Sequence, residues 1–175
     1  MSETFERITA EQIDDQPGHV YRYQFAAGWL EDYRSVLDIA CGIGYGAEVL
    51  ARTVNVDYLG IDKIEPDERF RKFGRFVSGV DLDEYKLDRK FDVAICFETL
   101  EHLKNPQHLA GELMKNSQLV IVSVPTQPTK HLNEFHLHDF TVDDILEMFA
   151  SCDLLELQAQ PEEMSHVFVF KTSNA

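Results

Sequence analysis

Val36-Leu-Asp38-Ile-Ala40-Cys-Gly42-Ile-Gly44-Tyr-Gly46 is the stretch that decides the fold. Residues 35–40 are a short apolar run that meets glycines, which reads as a buried strand. Residues 44–53 then read as a helix with Ala47, Val49, Leu50 and Ala51 turned inward. Gly42 and Gly44 let the backbone turn tightly and approach a ligand closely. The helix start beyond them offers free N–H groups and a positive dipole end. A second apolar run covers 56–61, and Asp62 follows it, eighteen residues past Gly44. A carboxylate at that place can accept two hydrogen bonds from a ribose diol.

Further out, the chain alternates helix and strand. Val20, Tyr23, Ala27 and Leu30 recur at helical steps over 19–33, after a capping segment 1–18 that ends at the breaker Pro17-Gly18. Residues 65–73 give at most a short charged helical stretch, and 75–78 a weak third strand. Residues 91–97 make a strong buried strand, followed by a helical stretch over about 99–115. The most hydrophobic run, 118–124, stops at Pro125. A polar loop leads to Phe140, and Thr141 with Asp144 forms a capping-box pattern that opens another helix. Residues 154–159 and 166–171 supply the last strands. Continuous apolar strands alternating with helices predict an α/β fold, a doubly wound and mostly parallel sheet covered on both faces. We expect one domain over 1–175, with a helical cap at 1–34 and a Rossmann-like core at 35–172. Ligands of such sheets sit beyond the C-terminal strand ends, at the topological switch point.

Composition narrows the function. Sixteen Lys and Arg face 31 Asp and Glu, a net charge of −15, which repels phosphates and argues against nucleic acid and anionic membranes as partners. Eight of the basic residues gather in 63–90 with acids interspersed, a solvated mixed-charge face. Residues 139–163 hold eight acids and no Lys or Arg, which reads as an exposed flank remote from any ligand. Three cysteines without a CxxC spacing point to reduced thiols and a cytoplasmic protein. The polar, acidic start does not read as a signal peptide, so none is expected, and no run is long enough to span a membrane as a helix.

Three nucleotide-type readings compete at the glycine loop. A Walker loop needs Gly-Lys, which occurs nowhere in the chain. A dinucleotide fingerprint is formally met by Gly42, Gly44 and Ala47. An S-adenosylmethionine (SAM) site is favoured by Asp38 at the strand end, where a carboxylate can meet the cofactor's ammonium group.

The sequence resembles the class I SAM-dependent methyltransferases over about residues 19–171. VLDIACGIGYGAEVLA at 36–51 looks like their first motif, D-x-G-x-G-x-G, with Ala40 at the first glycine place. Within the family it is most similar to a subgroup with His-x-x-Arg-Tyr (His19, Arg22, Tyr23), FDVAICFETLEHL at 91–103 and Asn-Pro-Phe-His. In this chain the last motif is Asn133-Glu134-Phe135-His136. The resemblance implies a seven-stranded sheet with its last strand antiparallel, and SAM as cofactor. It implies that Ala40, Gly42 and Gly44 form the loop under the methionine part and that Asp38 takes the ammonium group. Asp62 would hold the ribose, and Lys63 and Ile64 would flank the adenine. Asp81 would accept the adenine amino group, with Leu82 stacking beside it. Phe97 and Glu98 would border the methyl, and Arg22 would neutralise the cofactor carboxylate.

Methyl transfer from a sulfonium needs mainly alignment, which can supply roughly 7–11 kcal/mol. A hydroxyl or protonated amine also needs a base, typically worth ~10²–10⁴-fold. His102, beside Glu101, and His136 are the candidates, both on the strand-end face. No metal is expected, because His131, His136 and His138 fit no common zinc spacing. The fourth strand ends Cys-Phe-Glu-Thr and the fifth Val-Pro-Thr, unlike the motifs of amino- or carbon-methylating nucleic-acid enzymes. The expected acceptor is a small molecule or glycan precursor, methylated at O or N, and the subgroup resemblance implies cell-surface sugar or secondary-metabolite contexts. Only eleven residues separate Asp62 from Gly74. A lid this compact implies an open site that a homodimer mate or another protein would complete. The alternatives are a SAM-binding module without its own activity and an NAD(P)-binding oxidoreductase. No Tyr-x-x-x-Lys pair supports the latter.

Overall fold

The structure is a computed structural model and describes residues 9–13 and 16–173. The ends of the expected domain and most of the 1–18 segment lie outside the described residues. Seven strands form one sheet: β1 Ser35–Ile39, β2 Asp57–Ile61, β3 Arg75–Val77, β4 Phe91–Phe97, β5 Ser117–Pro125, β6 Asp153–Gln160 and β7 Ser165–Lys171. Their spatial order is β3-β2-β1-β4-β5-β7-β6. β1 pairs in parallel with β2 and β4, β2 with β3, and β4 with β5. β7 runs antiparallel to both β5 and β6, so the last strand is the reversed one, as expected.

Alternation along each strand builds two cores. Leu37, Ile39, Ala94, Cys96, Val120 and Val122 face one side of the sheet. There they pack with Leu109, Ala110 and Leu113 of α3 (Pro106–Asn116) and with Ile145 of α4 (Val142–Met148). Val36, Val93, Ile95, Leu119 and Ile121 face the other side. They pack with Tyr23, Ala26 and Ala27 of α1 (Pro17–Ala27), and with Ala47 and Leu50 of α2 (Tyr45–Ala51). Burial on this scale is the main favourable contribution to folding. β1 and β4 lie side by side, and connections leave them toward opposite edges of the sheet. The switch point therefore falls between their C-terminal ends, which is where a ligand crevice forms.

Several expected boundaries move for local reasons. α1 begins at Pro17 rather than after it, because proline is tolerated in the first turn, where its missing N–H is not needed. The helix expected from residue 99 is interrupted. A single 3-10 turn, Leu100–His102, is followed by extended Leu103, and α3 restarts at Pro106. Asn105 caps that restart by accepting from the His108 N–H. The break holds Glu101 and His102 at the end of β4 instead of sending them along a helix. Thr141 and Asp144 form the expected capping box. β6 is a sheet edge with a bulge between Leu154 and Glu156, and it leaves Leu154, Leu155 and Leu157 exposed. Among the described residues no helix is long and apolar enough to cross a membrane.

Candidate active site

A cleft of about 830 Å³ opens over the C-terminal ends of β1, β2 and β4. Its wall includes Arg22, Ala40, Gly42, Asp62, Lys63, Asp81, Leu82, Phe97, Glu98, Glu101, His102 and His136. Of the residues expected at the site, only Asp38 and Gly44 stand behind this wall.

The glycine loop is anchored from β2. The Ile61 carbonyl accepts from the N–H groups of both Ala40 (2.8 Å) and Cys41 (3.2 Å). Asp62, the next residue, accepts from the Gly42 N–H at 2.7 Å through one oxygen and from the Ile64 N–H at 3.0 Å through the other. This carboxylate therefore braces the loop as well as facing the cleft. Gly42 has φ +57°, and a Cβ built there would meet nothing within 4 Å, so the loop presents bare backbone to open space. Gly44 has φ +90°, and a Cβ there would lie 2.7 Å from the Phe76 ring. Glycine is thus required at 44 by packing and backbone together. Ala40 adopts φ +59°, a left-handed conformation in which an L side chain costs about 1–2 kcal/mol.

Asp38, expected at the ammonium group directly or through water, does not itself line the cleft. It is fully buried beneath the loop, on the α1 side of the sheet. Its Oδ2 accepts from the hydroxyls of Tyr23 (2.9 Å) and Tyr58, and Oδ1 meets no hydrogen-bond partner among the described residues. Burial pushes its carboxyl from 3.8 up to about 7. The two tyrosine hydroxyls oppose that rise, and the nearby Asp62 charge adds to it.

Arg22 is almost fully buried in α1, yet it reaches the cleft wall. Its Nε donates to Gln160 Oε1 at 2.8 Å, and Nη2 lies 3.5 Å from both Glu98 and Glu163. Nη1 meets no hydrogen-bond partner among the described residues. Glu163 belongs to the acidic stretch 139–163 expected to lie away from any ligand. The turn after β6 carries it back to Arg22, which corrects that expectation for this residue. Beside it, His19 is lowered to about 4 by burial and by the Arg22 charge, so it lines the cleft as a neutral imidazole.

Glu98 follows β4 with φ +47°, a strained conformation for a non-glycine residue. Ser123 and Ser165 hold its carboxylate at 2.8 and 3.0 Å, and its N–H reaches the Ser123 carbonyl at 2.9 Å. Phe97 packs edge-on against Tyr23, with centroids 5.2 Å apart. At the far end of the cleft the loop after β5 folds back over the 3-10 turn. The Glu101 carbonyl accepts from the N–H groups of Leu137 (2.7 Å) and His138 (3.2 Å). His102 Nδ1 lies 3.1 Å from the Phe135 carbonyl, His136 Nδ1 lies 2.7 Å from Thr129 Oγ1, and the two rings meet edge-on at 4.7 Å. Asp139 ties the loop down by accepting from the N–H groups of Thr129 and Lys130.

The sequence profile of a methyltransferase domain family matches residues 11–161, nearly the whole chain. The chain belongs to this family. It is similar, at 26% identity over 138 residues, to a probable SAM-dependent methyltransferase of Mycobacterium tuberculosis, covering 71% of this chain and 50% of that protein. The chain thus spans about half the length of that curated relative. Its fold is that of magnesium protoporphyrin IX methyltransferase from Synechocystis, solved with S-adenosylhomocysteine bound. The TM-score is 0.70 at 16% identity, covering 97% of this chain and 90% of that one. It is also that of a structure of a complex between the Haloferax volcanii Trm112 methyltransferase activator and a methyltransferase (TM-score 0.69, 13% identity, covering 93% of this chain and 94% of that one). This is a class I, SAM-type methyltransferase domain.

The cleft suits SAM on its own features. Open backbone at Gly42 admits a close ligand, the spare Nη1 of a buried arginine calls for an anion such as an amino-acid carboxylate, and Asp62 presents a fixed acceptor. Sequence reasoning missed the partners that position these groups: Tyr58, Gln160, Ser123, Thr129 and Ser165. They lie far along the chain and carry no local motif. Tyr23 was visible as the last member of His-x-x-Arg-Tyr.

Proposed function

We propose that this domain transfers a methyl group from SAM to an oxygen or nitrogen of a small molecule or glycan precursor. The observation that carries the reading is a single cleft joining the braced glycine loop at one end to Glu101, His102 and His136 at the other. Its volume suits a cofactor and a small acceptor rather than a macromolecule. The net charge of −15 also disfavours a nucleic-acid acceptor.

SAM, when bound, supplies a methyl that is already activated on a sulfonium. The protein's task is then alignment. Arg22 Nη1 would pair with the cofactor carboxylate, Asp62 would accept from the ribose, and the bare Gly42 backbone would face the methionine part. Asp81 and Leu82 line the adenine side. Phe97 and Glu98 border the junction between cofactor and acceptor, with Glu98 locked by two serines. Glu101, His102 and His136 polarise the O–H or N–H of the acceptor.

The test is release of S-adenosylhomocysteine from SAM by the full chain across a panel of hydroxylated and aminated small molecules and sugars. Release with at least one acceptor class supports the proposal. Tight cofactor binding with no acceptor in the panel would favour a module without independent activity. NAD binding without SAM binding would overturn the reading.

A further inference from the structure

We propose that Glu101, His102 and His136 form a binding site for one divalent transition-metal ion at the acceptor end of the cleft. The inference rests on the methyltransferase reading of the cleft and names what its far end binds.

Ligand atoms of these three side chains all lie within 4.8 Å of one another, and His102 Nε2 stands 3.9 Å from Glu101 Oε1. Around a tetrahedral zinc, with bonds of about 2.1 Å, neighbouring ligand atoms stand about 3.4 Å apart. Closing these separations by up to about 1.4 Å brings the trio to that geometry. The two imidazoles come from separate elements. His102 sits on the 3-10 turn after β4, and His136 sits on the loop tied back over it.

The His102 ring is oriented for ligation. A carbonyl can only accept, so the 3.1 Å contact from His102 Nδ1 to the Phe135 carbonyl puts the proton on Nδ1 and the lone pair on Nε2. His136 Nδ1 meets the Thr129 hydroxyl at 2.7 Å, and this contact turns Nε2 of the ring away from Thr129. Metal-bound imidazoles characteristically donate their second N–H to a carbonyl or similar group, which fixes the ring. Glu101 is 1% exposed, and its backbone carbonyl is bonded to the N–H groups of Leu137 and His138, so the carboxylate is held on a rigid turn.

Two nitrogens and one carboxylate suit zinc, cobalt or manganese better than magnesium or calcium, which prefer all-oxygen shells. Three protein ligands leave positions open, the arrangement of catalytic rather than structural metal sites. An open position facing the cleft takes a hydroxyl oxygen of the acceptor and lowers its pKa. The hydroxyl proton leaves to water. The oxygen's electron pair then forms the O–C bond to the methyl as the C–S bond breaks and its pair returns to sulfur. The sequence expectation of no metal rested on His131, His136 and His138. In the structure His131 is exposed, and His138 Nε2 meets the Leu103 carbonyl while its ring stacks on Phe140.

The test is an optical titration of the tag-free, chelator-treated full chain with Co²⁺, followed through its ligand-field bands. We expect one Co²⁺ per chain, displaced by Zn²⁺ and not by equimolar Mg²⁺. We expect His102→Ala, His136→Ala and Glu101→Gln each to weaken binding at least about tenfold, with His131→Ala unchanged. The variants lie on two elements, so at least one remains informative if another fails to fold. Equal Co²⁺ affinity in the folded variants and the wild type, or no stoichiometric binding to the wild type, overturns the proposal. S-adenosylhomocysteine is titrated into the same samples. Loss of that binding in the wild type, with metal binding intact, would overturn the cofactor reading and leave the metal site standing.

Discussion

Asp38→Asn probes the buried acid under the glycine loop. Asn has the same shape and one oxygen that can accept from both Tyr23 and Tyr58. It removes only the ionisation. Burial lifts the carboxyl from 3.8 in the unfolded chain to about 7 in the fold. Between those values the unfolded chain binds fewer protons than the native one, so this group makes stability fall as pH rises. Its contribution is complete below 3.8 and is lost as pH passes through about 7. Each pH unit in the window is worth about 1.4 kcal/mol. Urea unfolding at pH 5 and pH 8 spans the two units below 7, about 3 kcal/mol from this one group. The wild type should lose that much more than Asp38→Asn between the two conditions. An equal change in both proteins would refute the buried-acid account.

Asp62→Ala removes the two bonds that brace the loop at 2.7 and 3.0 Å. It should lower unfolding free energy by about 2 kcal/mol and weaken SAM binding at least about tenfold. Denaturation and calorimetry check these separately, and unchanged affinity would remove Asp62 from the cofactor site. Ala40→Gly relieves the left-handed strain at φ +59° and should stabilise by up to about 1 kcal/mol in urea unfolding. A destabilised variant would show that the methyl group packs usefully. Arg22→Gln leaves Glu98 and Glu163 facing each other without their cation. It should weaken S-adenosylhomocysteine binding more than about tenfold, and wild-type affinity would show that Arg22 serves the fold alone.

What could be read from the sequence follows from how local each feature is. The strand 35–39, the glycine loop and the helix after it carry their signals within seventeen residues, and the structure places them as expected. The capping box at Thr141 is equally local. β4 and β5 announce themselves because strands buried on both faces need continuous apolar runs. The break between His102 and Pro106 was harder, since helical periodicity continues across it while Pro106 biases Asn105 away from helix. Long-range convergence was not legible. Glu163 reaches Arg22 from 141 residues away, and His136 reaches His102 only because the loop after β5 folds back. The tyrosine clamp on Asp38 depends on register: Val36 pairs with Tyr58, which sets that hydroxyl beneath the loop.

The central claim is that the crevice between β1 and β4 holds SAM. A crystal structure of the full chain grown with S-adenosylhomocysteine tests it most directly. The account predicts one molecule per chain over the Gly42 backbone, its carboxylate at Arg22 and its ribose hydroxyls at Asp62. Cofactor density elsewhere on the chain, or over the loop but with ribose and carboxylate ends exchanged, would contradict it.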